Sequence, residues 1–135
     1  MAILTKANIL QGINSPKKMK VEALGGELWL RPLSSAEVDE VMRIEAEGIG
    51  IINASINKNR SADTNMNLAK MQEKTAEAKY YAVHLSINNP KSKDDWEIDE
   101  IMKLPADAVG EMYDFIMKIS GAEVTTADVK NFLED

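Results

Sequence analysis

The chain has 135 residues, 44% hydrophobic and 28% charged, the balance of one globular domain with a single core. Lysines and arginines number 16 against 22 aspartates and glutamates, a net charge of −6, which repels phosphate backbones and argues against nucleic-acid partners. Cysteine is absent, which excludes disulfides and thiol catalysis, and no apolar run approaches the ~18 residues of a membrane span.

In chain order, MAILTKANILQGI lacks the charged start and small-residue cleavage site of a signal peptide. Thr5 to Gln11 is predicted as a short opening helix capped by Thr5, ended by the turn formers of Gly12–Pro16. A β-hairpin is expected over about 18–33. With Gly25 and Gly26 as a two-residue turn, Val21 pairs with Leu30 and Glu22 with Trp29. Alternation then collects Met19, Val21, Ala23, Leu28 and Leu30 on one face. Lys18, Lys20, Glu22, Glu27, Trp29 and Arg31 fall on the other. A lone hairpin is not stable in water, so its apolar face must lean on helices downstream. Pro32 closes the second strand.

Ser34 with Glu37 has capping-box spacing and opens a helix over about 35–47, with Gly48 as its C-terminal cap. Residues 48–64 read as a mobile connection, because NKNRSADTN is polar and turn-like, with GIGIINASI open as a strand or an extension of the helix. A long helix over about 65–87 carries Leu68, Met71, Thr75, Ala78, Ala82 and Leu85 at helical spacing, with Tyr80, Val83 and Ile87 opening a second apolar face. Pro90 stops it. Asp94 or Asp95 would cap a short helix over about 95–103. Pro105 starts another over about 105–120, with a stripe of Ala108, Val109, Met112, Phe115, Ile116 and Ile119 that ends at Gly121. A last helix over about 126–133 holds Val129, Phe132 and Leu133. The whole chain, 1–135, reads as one α+β domain: an N-terminal two-stranded hairpin packed on a mainly α-helical bundle.

Chemistry-bearing patterns are few. His84 is the only histidine, and without spaced ligand partners it reads as structural. The acidic run Asp94–Glu100 lacks the glycine of an EF-hand loop and reads as a solvated helix start. GGELW and GIGII match no phosphate-binding loop, and no nucleophile elbow occurs. No catalytic, metal or cofactor site is predicted, and the chain reads as a non-enzyme. The candidate partner-binding residues are Trp29, Arg31, Met112 and Phe115. Trp and Arg are enriched at protein interfaces, and methionine adapts to irregular partners. The plainer alternatives are that Trp29 is covered by its own chain and that the methionines fill the core.

Four stretches, in order, resemble the tail assembly chaperones of long-tailed phages and phage-like prophage elements: LTKANILQG, KVEALGGELWLRPLSSAEVDEV, AKYYAVHLSI and WEIDEIMKLPADAVGEMYDFIMKISG. The resemblance implies a non-enzymatic protein of the prokaryotic host cytoplasm. Its partners would be the tape measure protein and the tail tube protein, which it helps to assemble, with no nucleic acid and no membrane; a homo-oligomer stays open. The alternative is a structural virion component, such as a minor tail or head–tail connector protein.

Overall fold

The computed structural model describes residues 3–13, 15–57 and 61–122, with the backbone alone at 11–13, 49–57 and 61–67. Helix α1 (Lys6–Ile13) precedes a hairpin of β1 (Lys17–Val21) and β2 (Gly26–Leu30). Helices α2 (Ser35–Asn57), α3 (Ser61–Ile87), α4 (Ile98–Met102) and α5 (Ala106–Ile119) follow. This is the expected α+β architecture, an antiparallel two-stranded hairpin on a helical layer.

Alternation places the hairpin correctly. Val21 and Leu30 are fully buried, Met19 and Leu28 pack at the margin of the same cluster, and β1 lies on α5 while β2 lies on α3. The register, however, differs. Val21 faces Gly26 rather than Leu30, and Leu30 faces Lys17. The offset is four residues, an even number, so every side chain within the strands keeps its face. The turn is a 3-10 stretch, Glu22–Leu24, closed by Gly25 at φ 67°, a left-handed conformation in which a Cβ is strained. A contact from outside the hairpin fits this turn. The Glu111 carboxylate on α5 accepts the N–H groups of Glu22 at 2.9 Å and Ala23 at 3.1 Å.

The capping box forms as expected, with Glu37 N–H donating to Ser34 Oγ and Ser34 N–H donating to Glu37 Oε1. Beyond it the helix does not stop at Gly48. The connection expected over 48–64 is helical at 48–57 and again from 61. Gly48 is a point of close approach and not a cap, since a Cβ there would stand 3.1 Å from the Met71 Cα on α3. Glycine serves both roles, and only the neighbouring helix distinguishes them. Glu47 and Lys74 pair across the same crossing at 3.4 Å.

α3 contributes Ala78, Ala82, Val83 and Ile87 to the core, and α5 contributes Ala108, Val109, Met112 and Ile116. α5 ends as its sequence predicts. Gly121 sits at φ 74°, with Gly121 N–H bonded to Lys118 O and Ala122 N–H to Met117 O, the paired bonds of a Schellman ending. α4 is shorter than expected and is not capped by Asp94 or Asp95. It begins behind Glu97, whose N–H donates to the Glu100 carboxylate at 2.9 Å. The helix expected over 126–133 lies outside the described residues.

Candidate functional site

Two surface features stand out, and both are built on α3. The first is a corner where the C-terminal end of α3 meets the hairpin. Two adjacent asparagines organise it. The Asn88 side chain accepts the Trp96 N–H at 2.8 Å and donates to Trp96 O at 2.9 Å. The Asn89 amide donates to Trp29 O at 2.8 Å and to Ser86 O at 2.9 Å, while Asn89 Oδ1 accepts the Lys91 N–H. Ser86 completes the join, donating its hydroxyl to Arg31 O at 2.7 Å and accepting the Arg31 N–H at its carbonyl. α3 thereby covers part of the outer edge of β2 and blunts it for further strand pairing. Both tryptophans of the chain are held at the backbone by one Asn-Asn pair. Between them opens a cleft of about 260 Å³ lined by Leu28, Trp29, Ile87, Lys91, Lys93 and Trp96.

The four candidate residues fare differently. Trp29 is 37% exposed, with the ammonium groups of Lys18 and Lys91 at 5.9 and 5.7 Å from its ring. Arg31 is committed inside the chain. Its guanidinium donates to both carboxylate oxygens of Glu37 at 2.8 Å, with the two side chains only 19% and 25% exposed. The hydrogen bond from Arg31, more than the charge attraction, holds the Glu37 carboxyl down to about 2. Met112 is fully buried and Phe115 packs partly buried against the core. Their side of α5 is the one that meets the rest of the fold. Of the four, Trp29 is the residue that combines a large exposed side chain with a neighbouring cleft.

The second feature is a groove of about 390 Å³ between α3 and the α4–α5 corner, lined chiefly by Met71, Thr75, Ala76, Tyr80, Leu104 and Val109. Its walls are mostly apolar, with Lys79 at the rim. The Lys79 ammonium stands 5.7 Å from the Tyr113 ring. The Tyr113 hydroxyl donates to Glu45 at 3.0 Å, and its pKa is pushed up first by burial and then by the charge of Glu45. The periodicity of Met71, Thr75 and Tyr80 was legible in the sequence, but not that these positions would line an open surface, because that depends on where α4 and α5 fall. The asparagines carried a signal too, a polar pair at a helix end where side chains commonly satisfy open carbonyls.

Among the described residues no group of three or more His, Asp or Glu is placed to hold a metal ion, and no helix is long and apolar enough to cross a membrane. Comparison of the chain with protein-family models, with curated proteins and with solved structures finds no match.

Proposed function

We propose that the protein is a non-enzymatic assembly chaperone of a phage or prophage tail, acting in the cytoplasm of the prokaryotic host. In this reading it binds the tape measure protein and helps tail tube subunits assemble around it. The observation that carries the reading is the apolar groove along α3, which the described chain leaves open. Such a groove suits a helical segment that presents aliphatic side chains at i, i+3 or i+4, and i+7. Methionine and the flexible stem of lysine let its walls adjust to more than one sequence, which a chaperone for a long helical client requires. The ordered sequence resemblance supplies the identity of that client.

The test is co-expression with a tape measure protein, the client this reading names. The expected result is a soluble co-purifying complex that is lost in Ala76→Arg, which fills the groove from a half-exposed helical position. Insoluble client in the presence of the wild-type protein sinks the proposal, as does a complex indifferent to Ala76→Arg. Recovery of the protein in finished particles would point instead to a virion component.

A further inference from the structure

We infer that the Trp29–Trp96 cleft is a second recognition site, one that takes an acidic protein segment carrying an aliphatic side chain next to a carboxylate. The inference rests on the chemistry of the cleft and not on the tape-measure reading, so either can fail alone.

The cleft has an apolar base and a cationic rim. Leu28 and Ile87 supply apolar surface between the two indole rings, and Lys91 and Lys93 stand on its wall. Lys18 adds a third ammonium on the hairpin side of Trp29. Among the described residues Lys18 pairs with Glu27 at 3.6 Å, while Lys91 and Lys93 pair with no carboxylate. Asp94 is the acidic residue among those lining the cleft, and its backbone carbonyl accepts a hydrogen bond from Ser92. On a chain whose net charge is −6, such a local excess of unpaired lysines attracts acidic partners and repels basic ones. Because both tryptophan backbones are pinned by Asn88 and Asn89, the cleft is largely formed before anything enters it, which lowers the ordering penalty of binding.

Single-stranded nucleic acid is the rival class, since aromatics with lysines can also stack bases. Two observations weigh against it. Ammonium groups already stand near the Trp29 ring, competing for the face on which a base would stack. The acidic remainder of the surface repels an extended polyanion, whereas a short peptide needs only the local field.

The two tryptophans are the only ones in the chain, so tryptophan emission, excited beyond the absorption of the tyrosines, reports on the side chains that line this cleft. The experiment titrates the full chain at low ionic strength with the tryptophan-free peptide ELELE, with its neutral counterpart QLQLQ, and with a single-stranded oligothymidylate. The expected result is a saturable change in emission with ELELE that weakens as salt is added. QLQLQ should bind at least about fivefold more weakly, the upper end of what one exposed ion pair supports. The double variant Lys91→Glu/Lys93→Glu should lose ELELE binding by a larger factor while melting as the wild type does, because both side chains are exposed. Lys118→Glu, an equal charge change per site at an exposed position on α5, should leave binding unaltered. The inference is overturned by no response to ELELE at millimolar concentration, by an equal response to QLQLQ, by a double variant that binds as well as the wild type, or by tighter binding of oligothymidylate.

Discussion

The corner at the end of α3 and the groove along its middle are made by opposite means. In the corner, directional hydrogen bonds from Ser86, Asn88 and Asn89 fix the backbone of two distant segments, at Trp29–Arg31 and at Trp96. In the groove, Met71, Tyr80, Leu104 and Val109 supply mostly apolar walls, with no side-chain hydrogen bond drawn across it among the described residues. A hydrogen-bonded site is narrow in geometry and costly to break, because a buried partner left unsatisfied loses its solvation. An apolar site tolerates rearrangement so long as volume is conserved. One helix therefore presents a rigid surface at its end and an adaptable one along its side.

The comparison can be tested by mutation. The largest loss is expected beneath the corner. Leu30→Ala removes a fully buried side chain from the seam between hairpin and helices, and should destabilise by about 3 kcal/mol in urea unfolding. Asn89→Ala should lose about 2 kcal/mol, since it strips partners from Trp29 O, Ser86 O and Lys91 N–H at a 9% exposed position. A loss below 0.5 kcal/mol, on the order of an ordinary surface change, would mean that the asparagine does not hold the corner.

Glu37→Gln probes the neighbouring ion pair. The carboxyl lies near 2 in the folded chain against an ordinary 4.5, so its contribution is present above the unfolded value and fades as pH falls from about 4.5 toward 2. With both side chains partly exposed, about 1 kcal/mol is expected at neutral pH after screening. The gap between wild type and Glu37→Gln in chemical unfolding should narrow across that acid window; a gap that stays constant would assign the loss to the cap alone. The smallest effect belongs to the groove. Ala76→Arg should shift stability by less than about 0.5 kcal/mol, as a substitution at a half-exposed helical position. A large loss there would show that the groove wall is structural.

Gly48→Ala sharpens the picture at the other helix contact. Alanine gains helix propensity over glycine, but the new Cβ meets Met71 Cα at 3.1 Å, a backbone atom that cannot rotate aside. A net loss of up to about 1 kcal/mol is expected, measured by thermal unfolding; a net gain would mean that α2 and α3 separate freely.

Much of the fold was legible because it follows from local rules. Alternation assigned Val21 and Leu30 to the buried face, Ser34 and Glu37 announced the start of α2, and the stripe through Met112 and Ile116 with Gly121 behind it delimited α5. The candidate site was less legible. Trp29 is partly exposed beside a cleft, whereas Met112 and Phe115 belong to the very stripe whose regularity marks it as core, and Arg31 sits six residues from the carboxylate that engages it. Trp96, Lys91 and Lys93 carry no local sign of the cleft, because they meet Trp29 across about sixty residues of chain.

By itself, then, the sequence determined parity, period and punctuation: which face of each strand and helix is apolar, and where most elements begin or end. These depend on neighbours within a few positions. Tertiary structure decided the four-residue offset of the hairpin, accompanied by the hold of Glu111 on its turn. It also decided the passage of α2 through Gly48, which lies against Met71, and the meeting of the two tryptophans at the Asn88–Asn89 corner. Each of these is a contact between residues far apart in the chain, and an even slip in register or a glycine in a helix leaves the local pattern unchanged.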